Sequence, residues 1–258
     1  MALLTLLTDF GLADYYVAAV KGTVLRLAPH SELVDVSHLV PPGDLAAAAF
    51  LLAAAAPAFA AGTVHYAVVD PGVGSPRRIL AAHTAAGHWA VAPDNGLLTP
   101  LLAGARLWSV VREDIFLAGE GQIFHGRDRF APVAAWLLRG EPAEALGPEI
   151  HDPVRLAAAV PERAPDHLAG TVVHIDRFGN LITDIPSAWL PDPAPPLRAE
   201  VGAHATSHTA THYEAIPPRA AALLPGSLGT LELAAAGDDL ARRWSVTRGT
   251  PVLVRWTG

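Results

Sequence analysis

Residues 68–78 read VVDPGVGSPRR, and this stretch indicates the kind of fold that the chain adopts. An apolar run ends at the carboxylate Asp70, a proline and two glycines then force an irregular turn, and Arg77 and Arg78 follow. In open α/β sheets, ligands bind at the carboxyl ends of the strands. The stretch therefore predicts a strand that ends at a charged pocket, although by itself it fits equally well a proline-glycine turn with a solvated arginine pair.

The length and composition of the chain predict a folded protein with one large domain or two smaller ones. It has 258 residues, of which 51% are hydrophobic and 17% are charged, so disorder along the whole chain is not expected. The net charge of −7 is unlike the basic footprint of a nucleic-acid-binding protein, and we expect no nucleic-acid partner. Cysteine is absent, which excludes disulfides, thiolate catalysis and cysteine zinc sites.

The apolar stretches do not predict a targeting or membrane-spanning segment. Residues 1–7 lack a basic region and Asp9 interrupts the first apolar run, so a signal peptide is not expected. Residues 45–61 are mostly alanine and contain Pro57, whereas a span needs about 20 strongly apolar residues. We expect a buried helix there, no membrane association and, since cysteine is also absent, a cytoplasmic location.

Strand-like and helix-like patterns alternate in the first part of the chain. Apolar residues at helical spacing predict helices at residues 15–27, 44–56 and 130–138. Short apolar runs predict strands at residues 3–7, 32–36, 64–69, 79–83, 88–92 and 107–112. This alternation is typical of βαβ units, so we expect residues 1–150 to form an α/β domain with a mainly parallel sheet and flanking helices.

The pattern changes after residue 139. Prolines and charges dominate first, and we assign residues 151–169 to a linker. Residues 170–258 then contain a short helical pattern at 237–244 and strand-like segments at 171–175, 181–185, 197–201, 209–213, 230–234 and 251–256. Short strands separated by turn residues predict a C-terminal all-β domain, and we expect a barrel.

Asp9 follows the first predicted strand, and its position gives it two alternative roles. A carboxylate at a strand end can accept hydrogen bonds from both hydroxyls of a ribose, as in nucleoside sites. Aspartate is also a frequent N-cap, and a helix is predicted just after it. The sequence alone leaves both roles open.

Asp70, Arg77 and His125 form a second group of candidate residues. An arginine beside a carboxylate favours its ionised form, so such a pair orients a water molecule better than it deprotonates one. His125 titrates near neutrality and can share the proton of that water. Alternatively, His125 is a structural polar residue at the start of the predicted helix.

Residues 176–180, DRFGN, form a predicted turn between two strands of the second domain. The amide of Asn180 can donate one hydrogen bond and accept another, which matches adenine. Phe178 can stack on a base. A hairpin turn without a ligand is the alternative.

Three histidines, His204, His208 and His212, recur at every fourth position. On a helix face this spacing would suit zinc. The small residues between them favour a strand instead, and no acidic partner is evident. We interpret them as surface histidines and expect no metal site.

Six motifs, in their order along the chain, resemble those of the S-adenosylmethionine hydroxide adenosyltransferases. That family consists of adenosine-forming S-adenosylmethionine hydrolases and is related to the fluorinase and chlorinase enzymes. The resemblance covers nearly the whole chain and rests on TDFG at 8–11, DPGVG at 70–74, PDNGLLTP at 93–100, FHGRDRFAP at 124–132, DRFGNLITDI at 176–185 and GSLGTLELA at 226–234.

The resemblance implies an assembly and roles for residues of the first domain. It implies a homotrimer with each active site at a subunit interface, with S-adenosyl-L-methionine as substrate and no cofactor. The water-handling residues of the family fall on Asp70, Arg77 and His125, and the spacing selects Arg77 rather than Arg78. The carboxylate that binds the ribose falls on Asp9.

The resemblance also implies substrate contacts in the second domain. They are Asp176 and Ser227 at the methionine end, Asn180 and the backbone of Ala236 at the adenine, and Phe178 and Tyr213 as walls.

Three positions depart from relatives of this family. Gly43 stands where halogenating relatives have a tryptophan, Gly126 where they have a hydroxyl residue at the halide, and Leu228 where some relatives have an arginine near the methionine carboxylate. A halide needs a desolvated pocket of donors, and the carboxylate of Asp70 would repel it. These features favour water over a halide as the nucleophile.

The sequence thus predicts a hydrolase that converts S-adenosyl-L-methionine to adenosine and L-methionine. The sulfonium departs as a neutral group, so catalysis needs a water molecule in line with the carbon–sulfur bond and no general acid. The alternatives are a halogenase that forms 5′-halo-5′-deoxyadenosine and a non-catalytic protein that binds adenosine or the sulfonium compound. A zinc-dependent hydrolase that uses the three histidines is a further alternative.

Overall fold

The computed structural model of the protein describes residues 2–118, 123–192 and 195–256. Within these ranges, no helix has both the length and the apolarity that crossing a membrane requires.

The chain divides into two compact units, Met1–Leu156 and Ala157–Gly258. Each unit contains its own cluster of buried apolar side chains. The finer domain limits drawn from the sequence, 1–150 and 170–258 with a linker at 151–169, stay a prediction.

In its described residues, the first unit is built on a sheet of seven strands. They are β1 (Leu3–Thr8), β2 (Glu32–Ser37), β3 (Val64–Val68), β4 (Ile79–His83), β5 (Trp89–Pro93), β6 (Arg106–Ser109) and β7 (Glu149–Ile150), in the order β2-β1-β3-β5-β4-β6-β7. Strands β2, β1, β3 and β5 pair in parallel, and the remaining pairs are antiparallel. Since β6 again runs in the direction of β5, most of these strands share one direction, which confirms the expected mainly parallel sheet.

Helices cover both faces of this sheet. They are α1 (Tyr16–Leu27), α2 (Leu45–Ala55) and α3 (Ala131–Leu138). Successive strand residues face opposite sides of a sheet. Accordingly, Leu6 and Tyr66 pack in a core with α1 and α3, whereas Leu7 and Ala67 pack in a separate core with α2. The result is a sheet between two helical layers.

The strand order brings two carboxylates to one edge of the sheet. β1 and β3 are adjacent and parallel, with Thr8 opposite Val68. Asp9 and Asp70 follow these two residues by one and two positions. Both carboxylates therefore lie at the carboxyl ends of neighbouring strands, where open α/β sheets bind ligands.

The described residues of the second unit form an eight-stranded antiparallel sheet and a short helix, α4 (Leu240–Trp244). The strands are β8 (Glu162–Arg163), β9 (His167–Ile175), β10 (Leu181–Pro186), β11 (Leu197–Val201), β12 (His204–Thr206), β13 (Ala221–Pro225), β14 (Thr230–Ala235) and β15 (Pro251–Trp256). Seven of them follow the order β12-β11-β15-β9-β10-β14-β13, and β8 pairs with β9. The backbone N–H of Leu223 in β13 donates to the carbonyl of His208, just after β12 (3.0 Å), so the sheet nearly closes into the expected barrel.

The strand predicted at residues 209–213 is wrong. This segment carries an isolated bridge from Thr209 to Leu223, and a short 3-10 turn begins at Tyr213. The alternation of small and polar residues there imitates a strand, but the Tyr213 side chain bonds Glu232 and the backbone turns.

Strand β13 is the longest of the strands that the sequence did not predict, the others being β7, β8 and β12. Ala221 and Leu223 face the barrel core, whereas Ala222 and Leu224 belong to a second apolar cluster. A strand that is buried on both sides lacks the alternation by which strands are recognised.

A chain of buried hydrogen bonds crosses the first unit away from the sheet edge. The hydroxyl of Thr5 lies 2.6 Å from Nδ1 of His65, Nε2 of His65 lies 3.1 Å from Nδ1 of His88, and Nε2 of His88 lies 3.2 Å from the carbonyl of Phe59. Burial, with the neighbouring His88 adding to it, lowers the pKa of His65 to about 4.

We expect this histidine to make the stability of the protein depend on pH. An unfolded histidine has a pKa near 6.5, so between that pH and about 4 the unfolded state binds more protons than the folded state. The free energy of unfolding should therefore fall by up to about 3 kcal/mol from this source as the pH falls through that window. Urea denaturation at a series of pH values measures it.

The substitution His65→Gln should remove this part of the pH dependence. His208→Gln, at an exposed histidine, is the control and should keep the wild-type profile. A His65→Gln profile parallel to that of the wild type would contradict the assignment.

Candidate active site

Asp70, Arg77 and His125 form one hydrogen-bonded group in the first unit. Arg77 donates to Oδ2 of Asp70 from Nε (2.8 Å) and from Nη2, and the same Nη2 lies 3.1 Å from Nδ1 of His125. The side chains of Asp70 and Arg77 are 6% and 10% exposed, and His125 is buried. The structure thus brings together the three residues that the sequence grouped.

The contact between Arg77 and His125 determines the tautomer of the imidazole. A guanidinium can only donate hydrogen bonds, so Nδ1 is the acceptor in this contact. A neutral His125 therefore carries its proton on Nε2. The lone pair of Nδ1 is directed at Arg77 in this arrangement.

A tight turn returns the chain from Asp70 to Arg77. The backbone N–H of Val73 donates to the carbonyl of Asp70 (3.2 Å). Gly74 has a φ of 84°, in the left-handed region that glycine adopts without strain. The irregular turn expected from the DPGVG motif is the element that folds the guanidinium back onto the carboxylate.

Arg78, the other arginine of the motif, pairs with different carboxylates. It donates from Nε to Asp94 (2.7 Å) and from Nη1 to Asp152 (2.8 Å). Asp94 also accepts the backbone N–H of Val154 (2.8 Å). Arg78 therefore fastens the segment around Asp152 to this loop, and Arg77 alone of the two bonds Asp70.

The PDNG motif at 93–96 supports the end of β3. Nδ2 of Asn95 donates to the carbonyl of Val69 (2.8 Å), the residue immediately before Asp70. Sequence reasoning recognised the motif as a turn and missed this role. A turn signal is local, whereas the partner of Asn95 lies 26 residues away.

Asp9 does not cap the first helix. Its Oδ2 accepts the backbone N–H of Gly43 (2.9 Å). The N-cap position of α1 is occupied by Tyr15, which makes no side-chain cap bond. The N-cap alternative for Asp9 is wrong, and the carboxylate is held at the sheet edge by a backbone amide.

His125 precedes a π-helical turn, Gly126–Phe130, that leads into α3. The sequence predicted an α-helix from residue 130 and gave no signal for the wider turn before it. Such turns insert one extra residue into a helix and are frequent at functional sites. Here the turn places His125 beside Arg77.

The second unit has a cavity of about 510 Å³. Four predicted substrate contacts, Phe178, Asn180, Tyr213 and Ala236, are among the residues that line it. Phe178 is 74% exposed and Tyr213 is 50% exposed, so both rings are accessible to a ligand. Small-molecule sites commonly have volumes of about 300–1,000 Å³, and this cavity is large enough for a nucleoside.

Asp176 organises the turn that carries these residues. Its Oδ1 accepts the backbone N–H groups of Phe178 and Asn180 (both 2.9 Å), and its Oδ2 accepts Nδ2 of Asn180 (2.9 Å). The carboxylate thus fixes the orientation of the Asn180 amide, with Nδ2 toward Asp176.

Ser227 is not brought into this group. It lies exposed with Leu228 in the turn between β13 and β14, and neither residue lines the cavity.

Glu232 is a residue that sequence reasoning missed. Its Oε1 accepts the hydroxyl of Tyr213 (2.6 Å), and Glu232 is only 4% exposed. This hydrogen bond, with burial adding to it, raises the pKa of Tyr213 to about 12. A lone acid within the apolar strand TLELAA was the available signal, because a buried carboxylate requires a partner.

The three regularly spaced histidines do not come together. His204 lies in β12 and stacks on Trp244 with ring centroids 5.1 Å apart, whereas His208 and His212 are exposed and lie outside the strands. In the part of the chain that the structure describes, no group of three or more His, Asp or Glu side chains is arranged to hold a metal ion.

The chain thus combines an α/β unit that contains a buried Asp-Arg-His group with a nearly closed barrel that has a cavity of about 510 Å³. Both halves of this architecture match one family of enzymes. Residues 4–147 match the family model described as the SAM hydroxide adenosyltransferase N-terminal domain, and residues 170–253 match that of the C-terminal domain. The chain belongs to the SAM hydroxide adenosyltransferase family.

Named relatives and a solved structure are similar to almost the entire chain. The (R)-S-adenosyl-L-methionine hydrolase of Thermus thermophilus is 40% identical over 264 residues, covering 95% of this chain and 96% of the relative. The hydrolase of the same name from Salinispora arenicola is 38% identical over 253 residues, covering 96% and 95%. The crystal structure of an uncharacterized conserved protein from Thermotoga maritima has a TM-score of 0.92 at 31% identity, covering 98% of this chain and 99% of that one.

We expect Tyr213→Phe to lower the free energy of unfolding at neutral pH by about 1–3 kcal/mol, because the buried carboxylate of Glu232 loses its donor. Chemical denaturation measures the loss. Tyr15→Phe, which removes the hydroxyl of a tyrosine that is 62% exposed, is the control. A loss no larger than that of the control would show that Glu232 does not depend on this bond.

Proposed function

We propose that this protein hydrolyses S-adenosyl-L-methionine to adenosine and L-methionine. The observation that carries the proposal is the buried Asp70–Arg77–His125 group, in which Arg77 bonds one carboxylate oxygen of Asp70 and leaves the other to a water molecule. Membership of the family and the relatives named as (R)-S-adenosyl-L-methionine hydrolases support it.

The chemistry is a single displacement at the ribose 5′ carbon. The oxygen of water bonds to this carbon while the carbon–sulfur bond breaks, and its electron pair goes to sulfur to give the neutral thioether of methionine. As the new carbon–oxygen bond forms, the water oxygen becomes strongly acidic, and only then does its proton pass to Oδ1 of Asp70, which until that point orients the water. Because the leaving group needs no proton, the protein's main contribution is the placement of the water molecule.

The substrate contacts divide between the two residue groups. Asp9 binds the ribose hydroxyls. Asn180 and the backbone of Ala236 bind the adenine, and since Nδ2 of Asn180 already bonds Asp176, Oδ1 is the atom that accepts from the adenine amino group. Phe178 and Tyr213 form walls around the nucleoside.

At the methionine end, we assign Asp176 to the ammonium and Ser227 to the carboxylate. With Leu228 next to it in place of an arginine, Ser227 and neighbouring backbone amides are the donors for that carboxylate.

The assembly and location form part of the same proposal. We assign a homotrimer with active sites at subunit interfaces and a cytoplasmic location, without a cofactor. The exposed rings of Phe178 and Tyr213 support an assembly that covers them, because large exposed apolar groups near a cavity often mark an interaction surface.

Incubation with S-adenosyl-L-methionine in heavy-oxygen water tests the reaction. We expect equimolar adenosine and L-methionine, with the label in the 5′ hydroxyl of adenosine. Absence of adenosine under conditions where the nucleoside binds would indicate a binding protein instead. Formation of a 5′-halo-5′-deoxyadenosine on addition of chloride or fluoride would indicate a halogenase.

The two adjacent arginines provide a matched pair of variants. Arg77→Lys keeps the charge but loses the two-nitrogen contact with Asp70, so kcat should fall at least about tenfold. Arg78→Lys changes contacts only to Asp94 and Asp152 and should keep kcat within about twofold of the wild type. Equal effects of the two substitutions would contradict the assignment of Arg77.

A further inference from the structure

Two of the buried polar atoms without a hydrogen-bond partner among the described residues belong to Asp70 itself and to Tyr66, which precedes it in β3. They are the hydroxyl Oη of Tyr66 and Oδ1 of Asp70, and neither has a hydrogen-bond partner among the described residues. Tyr66 has no exposed surface. Buried polar atoms almost always find a partner, which is a protein group, a water molecule or a ligand.

The two atoms belong to the same small region. Tyr66 lies in β3, and Asp70 lies two residues beyond the end of that strand. The residue beside His125 also reaches Tyr66, since a methyl group at Gly126 would lie only 2.9 Å from Oη of Tyr66. Tyr66 therefore lies next to Gly126. The adjacent His125 contacts Arg77, and Arg77 bonds Asp70.

The protonation state of Tyr66 makes it a donor. Complete burial, with the nearby carboxylate of Asp70 adding to it, raises the pKa of the Tyr66 hydroxyl well above its ordinary value of 10.0. The phenol therefore keeps its proton throughout the neutral range. The ionised carboxylate of Asp70 can only accept. The hydroxyl is thus a buried donor that the charge of Asp70 influences, and Oδ1 of Asp70 is a buried acceptor; the two do not bond each other.

We propose that Tyr66 is a further positioning residue for the nucleophile, and that its hydroxyl donates a hydrogen bond to the attacking water while Oδ1 of Asp70 accepts one from it. This inference rests on the proposed hydrolysis. The water then has one lone pair bound by Tyr66 and one hydrogen bound by Asp70, so its second lone pair is directed at the 5′ carbon.

The same arrangement explains why residue 126 is a glycine in this chain. A side chain at Gly126 would collide with Oη of Tyr66 and with the ring of Phe10, each about 2.9 Å from the added carbon. A residue with a hydroxyl group at position 126 could donate to the water; here the hydroxyl of Tyr66, in β3, takes that place. Tyr66 thus provides the water with a hydrogen-bond donor in addition to the carboxylate of Asp70.

The substitution Tyr66→Phe removes this hydroxyl and little else. Because Oη makes no hydrogen bond to the described residues, its loss leaves no protein group unpaired, and the midpoint of thermal unfolding should be unchanged or higher. We expect kcat for adenosine formation to fall at least about tenfold, with KM for S-adenosyl-L-methionine within about threefold of the wild type.

Tyr16→Phe is the matched control. Tyr16 contacts Phe10 and Phe124 through its ring, with centroids 6.3 Å and 5.1 Å apart, and this substitution likewise removes a single hydroxyl. We expect wild-type kcat and KM from it.

A Tyr66→Phe protein with wild-type kcat overturns the inference. So does a loss of kcat accompanied by a lower unfolding midpoint or an equal rise in KM, because a structural role then explains it. If the wild type is active and Tyr66→Phe is fully active, only this inference fails. A wild type that forms no adenosine overturns the proposed function and this inference together.

Discussion

The buried ion pair between Arg77 and Asp70 is the constraint on which the site depends. Both side chains are almost fully buried, and an unpaired charge in that environment would be strongly unfavourable. The glycine turn, the Asn95 support of β3 and the separate pairing of Arg78 all keep this one contact in place. The pair is asymmetric, since both guanidinium nitrogens bond the same carboxylate oxygen. The other oxygen keeps its capacity to accept hydrogen bonds in a site that excludes bulk water.

Most elements of the first unit could be predicted from the sequence, because apolar periodicity and the turn residues at strand ends are local signals; the two-residue strand β7 and the π-helical turn were not predicted. Strand 79–83 and the placement of Asp70 beyond β3 follow directly from these local signals. The second unit was harder. β13 is apolar on both sides, and residues 209–213 alternate without forming a strand, so periodicity misleads in opposite directions at the two sites.

The candidate site shows the same division between local and distant information. Asp9, Asp70 and the DRFGN turn are recognisable because their chemistry is adjacent to a strand end or a turn. Glu232 and Tyr66 are not recognisable, because the role of each depends on a distant part of the chain. Glu232 bonds a hydroxyl 19 residues earlier, and the Tyr66 hydroxyl occupies the space that a side chain at Gly126 would need. A buried polar residue in an apolar strand indicates that a partner exists without indicating which one.

The π-helical turn at Gly126–Phe130 determines the direction in which the residues before α3 point around the helix axis. A π-turn contains one residue more than the α-helical turn that it replaces. Deletion of a single residue there would restore a continuous α-helix, and the chain before it would rotate by about 100° around the axis of α3. His125 would then leave Arg77 while every core contact of α3 stayed intact. The placement of this histidine is therefore encoded by the number of residues in the segment as well as by their identity.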